Sequence, residues 1–171
     1  MLNLFGALAY ATVAMLAGGA CLRLRSGGWA AIAVFFVALA GWRLIGAEAQ
    51  VQGWARAALR AQGAYAARAT WQAPLSAAIL LAGAAGGLAL GRLRGAGDAA
   101  LRLAGLASLA LGMLSVLRAL SFHPVDVLLY AGIGRLRLHH GLDMGLAAFT
   151  ALCAWRAAGR ATRPDGRSLF P

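Results

Sequence analysis

Lysine is missing from this 171-residue chain, acidic residues number only five, and cysteine and proline occur two and four times. Charged residues make up 12%, where about 25% is usual in a soluble domain. Two cysteines exclude a disulfide framework. Cys21 and Cys153 lie within or at the end of apolar runs and read as buried, unreactive thiols. The chain has no H-E-x-x-H, no phosphate-binding G-x-x-x-x-G-K, no G-x-G-x-x-G in a strand setting and no G-x-S-x-G elbow, so the common metalloprotease, nucleotide and serine-hydrolase chemistries have no anchor. Nor does any apolar run carry a series of acids and amides of the kind that ion-driven transporters need across the membrane midplane.

Apolar residues fill the space these absences leave. They amount to 61% of the chain, with a mean hydropathy of +0.72, against roughly 45–50% apolar in ordinary domains. A soluble core of this size cannot hide so much apolar surface. The pattern predicts an all-α polytopic integral membrane protein, a single transmembrane domain over residues 1–158 followed by a polar, basic tail over 159–171. Five spans are expected, at residues 2–22, 29–46, 71–91, 103–120 and 141–157. The first lacks the positive leader and short apolar centre of a cleaved signal peptide and is read as a retained helix. Pro74 falls in the expected first turn of the third, where its missing amide is harmless.

Residues 48–68 do not span. Nothing between Leu44 and Trp71 is proline, and the stretch is rich in Ala, Gln and Arg, so the second helix is expected to continue into it. Gln52, Arg56, Arg60 and Arg68 share one helical line, and Val51, Trp54, Ala58, Ala61 and Tyr65 repeat on another face. This is an amphipathic helix. It either lies in the headgroup plane with Trp54, Tyr65 and Trp71 as interfacial anchors, or extends clear of the bilayer and packs on a neighbour.

The net charge is +11, and all 16 basic residues are arginine. They flank apolar runs instead of forming a patch on a folded surface, which points to anionic lipid headgroups or an acidic partner and away from nucleic acid. Arg43 is placed to snorkel from the end of the second span. With the N-terminus outside, Arg23, Arg25, Arg92, Arg94, Arg102, Arg156, Arg160, Arg163 and Arg167 fall inside. Nine against seven orients the chain, under the positive-inside rule, with an outer N-terminus and a cytoplasmic C-terminus; the expected setting is a bacterial inner membrane.

That topology gathers Glu48, Arg118, His123, Asp126, His139, His140 and Asp143 on the outer side. His123 and Asp126, like His140 and Asp143, form H-x-x-D pairs. Residues i and i+3 share a helix face, so two histidines and two carboxylates can offer a site to zinc, manganese or iron. A histidine at the membrane surface can also serve a haem or chlorophyll-type ring as axial ligand. The structural reading takes His123 and His140 as N-caps and Asp126 and Asp143 as first-turn acids facing the helix dipole. Arg118 is then the ion-pair partner of either carboxylate, Asp126 or Asp143.

Gly83, Gly87 and Gly91 make two successive G-x-x-x-G steps, and Ala104, Ser108 and Gly112 continue a small-residue line on the next span. Such lines let helix backbones approach closely, so these two helices are expected to pack along them. Small size, small-residue seams and few polar groups within the spans lead to one functional expectation. The chain is a non-enzymatic accessory, assembly or scaffolding subunit, packed against other transmembrane subunits and needing no cofactor. The alternative is a metal- or tetrapyrrole-binding membrane enzyme or redox protein built on the two H-x-x-D pairs.

Overall fold

The structure is a computed structural model that describes residues 2–64, 67–92, 99–120, 132–133 and 136–161. These form α1 (Leu2–Leu24), α2 (Gly27–Leu44), α3 (Ala47–Ala61), α4 (Arg68–Arg92), α5 (Ala99–Leu120) and α6 (Leu138–Ala161), with a two-residue antiparallel ladder of β1 (Gly132–Ile133) and β2 (Leu136–Arg137) just before α6. Four stretches are long and apolar enough to cross a membrane: Asn3–Leu24, Gly27–Leu44, Thr70–Leu90 and Ala99–Leu120. The chain is thus compatible with a helical membrane protein. The sixth helix has the length, about 36 Å at 1.5 Å per residue, but its first two turns carry His139, His140 and Asp143.

The helices end where the backbone turns left-handed. Arg25 takes φ 47°, and the Ser26 amide reaches back to the Cys21 carbonyl at 3.4 Å, the long bond of a Schellman stop. Gly46, at φ +63°, breaks the expected continuation of α2 into the amphipathic segment. Gly63 repeats the device at φ +66°, with Ala64 N–H donating to Leu59 O at 3.0 Å. The amphipathic helix therefore ends at Ala61, short of residue 68, and Arg68 opens α4 instead. Pro74 sits in the second turn of α4 and not in its first, so the Thr70 carbonyl loses its helical donor.

The first helix packs between α2 and α6, α6 reaches on to α5, and α5 carries α4 on its outer side. The core follows helical periodicity: Tyr10, Val13, Ala14, Ala17 and Ala20 on α1, Trp29, Ile32, Phe36 and Ala40 on α2, and Ala147, Ala154 and Ala157 on α6. Alanines on α1 and α6 let the backbones come close. Tyr10 and Phe36 lock α1 to α2 edge to face, their ring centroids 5.8 Å apart. Both cysteines are free thiols, Cys153 buried and Cys21 partly so.

The glycines of α4 do face α5, but its small residues are not what they meet. A Cβ at Gly83 would lie 1.8 Å from Met113 Sδ, one at Gly86 would lie 3.2 Å from Leu109, and one at Gly87 3.6 Å from Leu106. Large side chains of α5 fill notches cut by glycine. The line Ala104, Ser108 and Gly112 is rotated away: Ala104 and Ser108 are buried, and Gly112 abuts Phe35 of α2. Replacing Gly83 by Leu is expected to lower stability by about 1–3 kcal/mol through overpacking, and Met113→Ala to recover much of that loss in the double variant. Thermal unfolding in detergent measures it, and strictly additive effects would refute the notch.

Candidate functional site

The sequence distributes four charged residues near the ends of four different helices. Arg43 is the penultimate residue of α2, Glu48 the second of α3, Arg118 lies in the last turn of α5 and Asp143 in the second turn of α6. Successive helices run in opposite directions, so these ends meet at one end of the bundle. Guanidinium groups near helix C-termini and a carboxylate in a first turn are each stabilised by the helix dipole.

There they close into one network. Asp143 Oδ2 accepts hydrogen bonds from Arg43 Nη2 and from Arg118 Nη1, the latter at 2.7 Å. Arg118 Nη2 donates to Glu48 Oε2 at 2.8 Å, and Arg43 Nη1 lies 3.8 Å from the same oxygen. Two cations face two anions, so the group carries no net charge. Side-chain exposure is 1% for Asp143, 4% for Arg118, 14% for Arg43 and 19% for Glu48, which sets the network largely out of solvent. Arg43 does not snorkel outward; it turns in, with its guanidinium carbon 5.9 Å from the centre of the Tyr10 ring. Among the described residues, Asp143 Oδ1 and Arg118 Nε have no hydrogen-bond partner.

Two glutamines seal the exposed end of α5. Gln52 Nε2 of α3 donates to Arg118 O at 2.7 Å, and Gln72 Nε2 of α4 donates to Leu120 O at 2.8 Å. These carbonyls belong to the last turn, whose C=O groups have no helical N–H partner. Glu48 and Gln52, four residues apart, thus dock α3 onto α5, while Trp54 and Trp71 stand 76% and 71% exposed. Tyr65 lies outside the described residues.

The H-x-x-D pairs fare differently. His123 and Asp126 lie outside the described residues, and with them the Arg118–Asp126 pairing. His140 and Asp143 do share a face, and both line a cavity of about 360 Å³ with Asn3, Gly6 and Arg43. The N-cap reading of this pair is overturned. Because α6 begins at Leu138, His140 is already inside the first turn and Asp143 is one turn further on, facing arginines instead of free amides. The His140 ring stacks on His139 with centroids 4.0 Å apart, and its buried Nδ1 has no partner among the described residues. Among the described residues no three His, Cys, Asp or Glu side chains gather as a metal site would need, and at Asp143 two guanidinium groups already occupy the position a cation would take.

The partnership of Arg43 and Glu48 is what sequence reasoning missed. One signal was present: Glu48 is the only glutamate of the chain, five residues beyond an arginine that ends an apolar run. Comparison with known protein families, curated proteins and solved structures gives no match.

Removing Asp143 leaves two guanidinium groups without their shared counter-charge. Asp143→Asn is expected to lower stability by about 3–5 kcal/mol, and Glu48→Gln, at the more exposed edge, by clearly less. Unfolding of the purified variants in one detergent compares them; equal losses would show that the network does not turn on Asp143.

Proposed function

We propose that the chain is a small accessory, assembly or scaffolding subunit of a bacterial inner-membrane complex. It would cross five times, α6 being the fifth span, with its N-terminus outside and its C-terminus in the cytoplasm. One observation carries the reading. On α4, opposite the notches that receive α5, Ala78, Ala82, Ala85 and Ala89 form a second line of small residues, and all four are exposed. Small-residue lines serve close backbone approach between membrane helices, and among the described residues nothing covers this one.

Two further features agree with it. Both acids among the described residues, Glu48 and Asp143, are engaged by arginines that tie helices together, which is structural work. At the opposite end the helices carry Arg23, Arg25, Arg92, Arg102, Arg156 and Arg160, and an excess of arginine marks the cytoplasmic side.

Solubilisation of the membrane in mild detergent is expected to release the chain in a stoichiometric assembly with other transmembrane subunits. Ala82→Phe should abolish that recovery without changing the thermal midpoint of the isolated chain. A single free chain, unaffected by the substitution, would defeat the proposal. Reporter fusions at both termini check the orientation, which a cytoplasmic signal from the N-terminal fusion would reverse.

A further inference from the structure

Where α2 and α5 face each other they touch only lightly, and the gap between them is a groove of about 680 Å³, within the roughly 300–1,000 Å³ of ordinary ligand sites. Ile32 and Phe35 of α2, Gly105 and Leu109 of α5 and Leu90 of α4 line it. From Arg102 to Met113 it follows α5 for about 16 Å at 1.5 Å per residue. Its polar side chains are Ser108 and Arg102. Ser108 asks nothing of an occupant, because its Oγ donates to Ala104 O at 2.7 Å. Arg102 is in the first turn of α5, half-buried at the basic end of the bundle, and among the described residues it makes no ion pair or hydrogen bond.

We propose that this groove binds an anionic phospholipid, with one acyl chain along the α2–α5 gap and the phosphate on the Arg102 guanidinium. Three observations select this occupant over a partner helix. The walls approach closely at both ends, where a Cβ on Gly28 would lie 2.7 Å from Leu101 Cδ2 and one on Gly112 3.3 Å from Phe35 Cζ; a short slot pinched at its ends suits a flexible acyl chain, whereas a helix needs a gap open along its length. The lining is apolar beyond Arg102, as an acyl chain requires. The charge at the mouth is positive and unopposed among the described residues, so an anionic headgroup is favoured over a zwitterionic one by about 1 kcal/mol per basic residue at the surface. This inference stands apart from the assembly reading, since a solitary chain would bind the same lipid.

Native mass spectrometry of the full chain tests it, with phosphatidylglycerol and phosphatidylcholine of identical acyl chains added in competition. The wild type is expected to retain phosphatidylglycerol roughly fivefold over phosphatidylcholine, the ratio that about 1 kcal/mol gives. Arg102→Gln should bring the ratio close to one with total lipid retained. Ala31→Trp, which fills the groove wall, should release both lipids. Equal retention by the wild type, an unchanged ratio in Arg102→Gln, or undiminished lipid on a folded Ala31→Trp would each overturn the proposal. Should the tryptophan variant not fold, the arginine variant decides alone.

Discussion

A carboxylate that is 1% exposed, held on one oxygen by two arginines, is the constraint around which this bundle is arranged. An isolated ion of that kind is strongly disfavoured in a low-dielectric interior. Arg43 and Arg118 both stand beside Asp143, and two guanidinium groups so close need a second anion, which Glu48 supplies. Each of the four comes from a different helix. The electrostatic demand of one residue therefore fixes the relative depth and rotation of α2, α3, α5 and α6, which apolar packing in lipid specifies only weakly, because lipid tails are as apolar as the side chains they replace.

The position of α3 follows from this. Its composition is too polar to cross and too apolar to ignore a surface, so its place depends on what its polar face binds. Glu48 completes the ion network and Gln52 takes up an α5 carbonyl left without a donor, and both lie on one face because four residues separate them. The left-handed glycines at 46 and 63 make this docking possible. They free α3 from the axes of α2 and α4, so that it can pack over the end of α5, whereas a continuous helix through residue 45 would carry Glu48 past the arginines.

Much of this was legible in sequence. Long uncharged runs located the four apolar spans to within a few residues, since hydrophobic length is what a bilayer selects. The convergence of Glu48, Arg118 and Asp143 followed from counting crossings. Helix breaks were not legible: among 23 glycines, nothing local distinguishes Gly46 or Gly63, whose φ is positive, from Gly53, which lies inside α3. The pairing of Asp143 was legible only in part, through Arg118. Its role turned on whether α6 began at residue 138 or 141, and three residues decide whether an acid caps a helix or faces its neighbours. Arg43 was read outward because snorkelling needs only a nearby surface, while its inward turn needs a carboxylate placed by a helix a hundred positions away.

The two ends of the bundle resolve the same shortage differently. Acids are scarce, and both that lie among the described residues are concentrated at one end, where they neutralise the two arginines that have been drawn inside. That end holds itself together by charge. The other end carries an excess of arginines, and its helices meet through alanines, with a long contact from Arg23 Nη1 to Ala158 O at 3.5 Å. Where no internal anion is present, positive helix ends must find counter-charge in the surroundings, and at a membrane surface the abundant anions are lipid phosphates. A groove that opens on that end beside Arg102 is therefore where the unmet charge and the unfilled apolar volume of the chain coincide.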